Sequence, residues 1–165
     1  GGMKTLLIVY HSRTGGTAQM AQACAQGARG SGGVQVRCLA ATAAGSADLL
    51  AADGYVFACP ENLAAMTGEM KAFFDLTYYD ALDRLNGRPC AMMICAGSDG
   101  EGALRQIQRI ATGWRLKTVA EPMIVCTHAQ TPEAIWAEKT IATSDLERCR
   151  ELGAALAAGL ELGVF

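Results

Sequence analysis

Short apolar runs alternate with segments of helical spacing along the whole chain. The runs are Thr5 to His11, Val34 to Leu39, Tyr55 to Cys59 after an Asp53-Gly54 turn signal, Pro89 to Ala96, and Val119 to Cys126. Each is too short for a helix, and most carry Val, Ile or Leu at successive positions, as strands covered on both faces do. Between them, Ala103, Ile107, Ile110 and Trp114 recur at i, i+4, i+7 and i+11, with Arg105, Gln106 and Arg109 on other faces, which predicts an amphipathic helix. Residues 144 to 162 set Ser144 and Glu147 in capping-box spacing ahead of a stripe of Cys149, Gly153, Leu156 and Leu160. Helices are also expected near 16 to 29 and 68 to 82, with a weaker signal at 46 to 52. The alternation of strand and helix predicts an α/β protein: a three-layer, doubly wound, five-stranded parallel sheet with right-handed crossovers. Ligands of such sheets bind beyond the carboxyl ends of the strands. A single domain over residues 3–165 follows from the unbroken pattern.

Composition narrows the class. Hydrophobic residues make up 51% and charged residues 18%, with 14 basic against 16 acidic side chains, so a disordered or polyelectrolytic chain is excluded. A net charge of −2 speaks against a nucleic-acid partner. Runs such as Leu6 to Tyr10 and Cys90 to Ala96 are far below the length of a membrane span, and the start of the chain lacks the h-region of a signal peptide. The seven cysteines, Cys24, Cys38, Cys59, Cys90, Cys95, Cys126 and Cys149, show no C-x-x-C and sit in apolar segments. They read as reduced core thiols of a cytoplasmic protein, the rival being one reactive thiol. Two distant histidines offer no metal cluster.

Three loops carry candidate chemistry. The first strand runs through His11-Ser12-Arg13-Thr14-Gly15-Gly16-Thr17 into a helix. Hydroxyls at 12, 14 and 17, with glycines that let successive N–H groups turn inward, suit a phosphate at a helix N-terminus. The loop is neither a Walker A nor a G-x-G-x-x-G sequence; the plain alternative is a Ser/Thr-capped helix. The third run ends in Cys59-Pro60-Glu61-Asn62-Leu63-Ala64-Ala65-Met66-Thr67-Gly68, too long for a tight βα turn, in which Leu63 and Met66 offer apolar surface to a flat ring. The fourth ends in Ala96-Gly97-Ser98-Asp99-Gly100-Glu101-Gly102, whose glycines allow a planar group close to the backbone.

These residues resemble the flavodoxin-like superfamily, and within it the NAD(P)H-dependent FMN oxidoreductases, including quinone reductases of the tryptophan-repressor-binding-protein type. Ser12 to Thr17 is similar to the FMN-phosphate loop S-x-T-G-x-T; Pro60-Glu61-Asn62 and Met66 to Asp75 are similar to the loop against the flavin ring and its G-x-x-K-x-F-x-D helix; Ala96 to Gly102 is similar to the loop on the other edge of the ring. The resemblance covers roughly residues 3 to 160 and implies a strand order of 2-1-3-4-5 with FMN at the switch point. It implies cofactor contacts at Ser12, Arg13, Thr14, Gly15, Gly16, Thr17, Pro60, Glu61, Asn62, Leu63, Met66, Ala96, Gly97, Ser98, Asp99, Gly100 and Gly102.

Gly16 stands where many flavodoxins have Asn, and residues 60–66 and 97–102 hold no aromatic. An unstacked ring face favours an enzyme in which NAD(P)H reduces the flavin and a small-molecule acceptor such as a quinone takes the electrons. The alternatives are a flavodoxin-type electron carrier without its own small-molecule substrate and a fold relative that has lost flavin. Backbone N–H groups near Glu61, Asn62 and Met66 would tune the flavin. No side chain is required as a base; His128 and Tyr79 are candidate proton donors or substrate contacts, and His11 reads as a local hydrogen-bond partner. Six of the ten aromatics (Tyr55, Phe57, Phe73, Phe74, Tyr78, Tyr79) cluster around the third strand and the helix after it, which together with the resemblance predicts a homodimer or larger homo-oligomer.

Overall fold

A computed structural model describes residues 2–165. In strand β1 (Lys4–Tyr10) Leu6 to Val9 are buried, and in strand β5 (Pro89–Ala96) all eight residues are covered from both sides. Both strands lie in a parallel sheet with β2 (Val34–Ala40), β3 (Gly54–Asn62), β6 (Lys117–Thr118) and β7 (Met123–Cys126). The order is β2-β1-β3-β5-β6, with β7 on the same side of β5 as β6. This is the order expected from the sequence, with β5 as the fourth strand and β6 and β7 as two pieces of the fifth.

The fifth strand therefore differs from the continuous run expected over 119–126. β6 pairs with Pro89 and Cys90, whereas β7 resumes at Met93. Pro122, which has no N–H to give, stands in the gap.

Helices α1 (Gly16–Arg29), α2 (Ser46–Ala51), α3 (Gly68–Ala81), α4 (Glu101–Gly113), α5 (Pro132–Trp136) and α6 (Thr143–Leu162) cover the sheet. One face packs Leu7, Val9, Phe57 and Ile94 against Phe73, Phe74, Ile107 and Trp114. The other packs Leu6, Ile8, Val56 and Met93 against Met20, Cys24, Cys149 and Leu156. On this second face α1 and α6 approach so closely that a Cβ on Gly153 would lie 1.9 Å from the Cys24 carbonyl oxygen. Four of the six clustered aromatics form the core on the first face; Tyr78 and Tyr79 are exposed.

Two local expectations are corrected. α6 starts at Thr143 with Ala142 as its N-cap and no side-chain cap, so Ser144 and Glu147 form no capping box; Glu147 pairs with Arg150 instead. The segment after Cys59 is not an open loop. β3 continues through Pro60, Glu61 and Asn62 and turns back into β4 (Ala65–Met66), pairing Glu61 with Met66 and Asn62 with Ala65. Pro60 is tolerated because the pairing of β1 with β3 ends at Ala58, so no donor is needed on that side. All seven cysteines are free and five are buried; burial pushes the thiols of Cys24 and Cys59 up to about 12 and those of Cys95 and Cys149 up to about 11. Such groups remain thiols at neutral pH. Among the described residues no helix is long and apolar enough to cross a membrane.

Candidate functional site

Because β1, β3 and β5 are adjacent and parallel, the loops that follow them leave the sheet at one edge. The first begins where β1 ends at Tyr10. The His11 N–H still donates to the Ala58 carbonyl at 3.0 Å, and the chain then curls through Gly15, at φ +93°, into α1. No side chain caps α1. Its first N–H groups, lacking intrahelical acceptors, carry the positive end of the helix dipole. Ser12 Oγ and His11 Nδ1 are buried beside it without a protein partner, a cost that a bound acceptor or anion would relieve. A cavity of about 570 Å³ opens here, lined by His11, Ser12, Arg13, Thr42 and Glu69 among others. His11 Nε2 lies 3.6 Å from a carboxylate oxygen of Glu69 at the start of α3. These features fit a phosphate.

The second loop is the β3–β4 hairpin. Leu63 and Ala64 form its tip with φ of 50° and 63°. Two consecutive left-handed residues make the turn that suits the twist of a two-residue hairpin, a place normally taken by Asn-Gly. Leu63 is fully exposed, whereas Met66 packs into the core; alternation along β4 sends it inward. Of the two apolar side chains expected to face a ring, only Leu63 is free to do so. The Met66 N–H donates to Gln106 Oε1 at 2.9 Å.

The third loop, Gly97 to Gly100, leads into α4, and it is tied to the second by one side chain. Glu61 Oε1 accepts from the Gly100 N–H at 2.9 Å, and Oε2 accepts from Gly102 at 2.9 Å and Ala103 at 3.1 Å. Glu61 is therefore the N-terminal cap of α4, supplied from another strand. A Cβ on Gly102 would lie 2.0 Å from the Ala64 carbonyl oxygen, so the two loops meet backbone to backbone. Ser98, Asp99 and Asn62 are exposed at the same edge.

A fourth segment, of which the sequence singles out only His128, also reaches the site. After β7 the chain passes His128, at φ 58°, whose N–H donates to the Gly97 carbonyl at 2.8 Å, and then forms α5. The Lys139 N–H donates to the Thr14 carbonyl at 2.7 Å. Gln19 of α1 donates through Nε2 to the Lys139 carbonyl and accepts at Oε1 from the Ile141 N–H at 3.0 Å. The strap 137–141 is thus bound to the base of the phosphate loop, and Gly16 is packed between Cys95 and Ile141. Thr131 as N-cap and Pro132 as first helical residue signal α5, but five residues carry no apolar stripe to detect. His128 is exposed and borders a cavity of about 400 Å³ under the strap, while Tyr79 is exposed on α3 beside Tyr78. Thr17 is buried, and Arg13 is exposed at the loop's rim.

Comparison with known proteins agrees with this architecture. A flavodoxin of Aquifex aeolicus is 34% identical over 100 residues, 61% of this chain and 54% of its own length. An NAD(P)H dehydrogenase (quinone) of Acidithiobacillus ferrooxidans is 34% identical over 95 residues, 46% of this chain and 48% of its own. The chain thus aligns with about half the length of these curated relatives. In fold it is similar to the flavodoxin WrbA-like protein of Agrobacterium tumefaciens, with a TM-score of 0.77 at 20% identity, covering 96% of this chain and 98% of that one. The family described as NADPH-dependent FMN reductase matches residues 38–131, more than half the chain, a span that includes the hairpin and the glycine loop. With its flavodoxin-like sheet and that match, the chain belongs to the NADPH-dependent FMN reductase family and is an FMN flavoprotein.

Proposed function

We propose that this protein is an FMN-dependent oxidoreductase that passes electrons from NAD(P)H, through bound FMN, to a small-molecule acceptor such as a quinone. The observation that carries the reading is the uncapped N-terminus of α1 with Ser12 Oγ and His11 Nδ1 buried and unpartnered beside it. FMN, when bound, supplies the two-electron redox chemistry. The chain's own residues bind and orient. The hydroxyls of Ser12, Thr14 and Thr17, the N–H groups of Gly15, Gly16 and Thr17, and Arg13 at the rim would hold the phosphate. Pro60, Glu61, Asn62 and Leu63, with Met66 packed behind them in the core, would form one wall of the ring end; Ala96, Gly97, Ser98, Asp99, Gly100 and Gly102 would form the other. Hydride transfer from the nicotinamide needs no side-chain base, and the missing aromatic at 60–66 and 97–102 leaves one face of the ring open to it.

The reading takes residues 3–165 as one flavodoxin-like domain working in the cytoplasm as a homo-oligomer. Exposed Leu76, Tyr78 and Tyr79 on α3, together with Leu63, support association. The flavodoxin relative favours a second reading, an electron carrier without a small-molecule substrate. Anaerobic mixing of the FMN-loaded protein with NADH or NADPH separates the two. Bleaching of the flavin band by either nucleotide, followed by recovery on adding a quinone, supports the oxidoreductase. A band that neither nucleotide bleaches replaces it with the carrier.

A further inference from the structure

We infer that Glu61 is the positioning residue of the flavin-ring end of the site, holding the β3–β4 hairpin and the 97–102 loop at a fixed separation and neutralising the end of α4 that would otherwise face the ring. The inference rests on the function proposed above. Its basis is the three hydrogen bonds that the Glu61 carboxylate accepts from Gly100, Gly102 and Ala103. They cross from β3 to α4 over some forty residues of sequence and connect the two walls of the ring site. A generic helix cap comes from the residue just before the helix. Here that residue is Gly100, which has no side chain, and the carboxylate is brought in from the opposite wall.

Two consequences are specific to the site. The N–H groups of Gly100, Gly102 and Ala103 already have an acceptor, and that of Met66 is taken by Gln106. Donors for the ring must then come from Ser98, Asp99 and the tip of the hairpin, not from the first turn of α4. The carboxylate also places a formal negative charge where the helix dipole would supply about half a positive one, so the ring end is less able to favour added electron density than an uncapped helix would be.

The test uses the full chain with Glu61→Gln and Glu61→Ala. The Gln variant is nearly isosteric, but its NH₂ faces donors. In the flavin-free protein, amide hydrogen exchange at Gly100, Gly102 and Ala103 is expected to quicken roughly tenfold or more in both variants. FMN affinity is expected to fall about tenfold. Affinity for inorganic phosphate, read from amide shifts of Gly15 and Gly16, stays unchanged. The two-electron midpoint potential of bound FMN is expected to rise as the helix end is unmasked. The inference is overturned if FMN and phosphate affinities fall together, which would mark a general loss of fold. It is equally overturned if exchange quickens while FMN affinity and potential do not move, which would make Glu61 a helix cap and nothing more. Should the Ala variant not fold, the Gln variant carries the same readouts. A wild-type protein that binds phosphate but not FMN would refute the proposed function together with this inference, while wild-type exchange at the three amides would still report the cap.

Discussion

His11 and Glu69 face each other at 3.6 Å, the imidazole mostly buried at the end of β1 and the carboxylate half-exposed at the start of α3. Burial pushes the His11 imidazole below its ordinary value of 6.5; Glu69 offsets part of this and Arg13 adds to it. The folded chain therefore accepts the proton less readily than the unfolded one. Stability from this site is fully present above pH 6.5 and is lost as the pH falls below it towards the lowered folded value. Urea midpoints measured from about pH 8 to about pH 5 should fall on acidification, and His11→Gln should flatten that slope. A variant with the wild-type slope would assign it to other groups.

Ser12→Ala should act with opposite signs on the two states of the protein. Removing a buried hydroxyl without a partner leaves the flavin-free chain no less stable. The same change should weaken FMN binding by about 1.5 to 3 kcal/mol, the value of one hydrogen bond to a charged group. Thermal unfolding without flavin and fluorescence titration with FMN check the two halves. Equal destabilisation without flavin and unchanged affinity would place the phosphate away from Ser12.

Gln19→Leu should release the strap. Both bonds from the Gln19 amide to the Lys139 carbonyl and the Ile141 N–H are lost, leaving partly buried backbone groups without partners at a cost of about 1 to 3 kcal/mol. Limited proteolysis between 130 and 141 should speed up relative to wild type. Unchanged cleavage there would show that packing of Ile141 and the Lys139 N–H bond to the Thr14 carbonyl suffice to hold the strap.

What could be read in advance follows from where each contact's partners lie along the chain. β1 and β5 were legible because both faces are buried over runs of successive apolar residues, Leu6 to Val9 in β1 and the whole of β5. The helices near 16 to 29 and 68 to 82 and the one marked by Ala103, Ile107, Ile110 and Trp114 were legible from apolar spacing, whereas the strand order, and with it the clustering of the 12–17, 60–66 and 96–102 segments at one edge, was implied by the family resemblance. β3 beyond Cys59 was not legible, because Pro60, Glu61 and Asn62 are breakers by composition and are kept extended by pairing with Cys95 and β4. Glu61 reads locally as a solvated loop acid; the three N–H groups that donate to its two oxygens stand 39 to 42 positions away. Gln19 reads as an ordinary exposed-face residue of α1, and its partners are 120 and 122 positions away. Side-chain to backbone bonds over such separations leave no periodic trace.

The tip of the hairpin sets up the last prediction. Leu63 and Ala64 both sit in the left-handed region, which costs a residue with a Cβ roughly 1 to 2 kcal/mol, and the strain is held by the pairing of Glu61 with Met66, the Gln106 bond and the contact of Ala64 with Gly102. Leu63→Asn with Ala64→Gly installs the pair this turn prefers, and glycine at 64 leaves the Ala64 carbonyl contact in place. Stability of the flavin-free protein should rise by about 1 to 2 kcal/mol. If the fully exposed Leu63 side chain serves as an apolar wall for the ring, the same double variant should bind FMN more weakly while its affinity for phosphate is unchanged. A gain in stability with no loss of FMN affinity would assign Leu63 to the surface through which copies of the chain associate, a result that sedimentation of the variant at micromolar concentration would then register as a smaller particle.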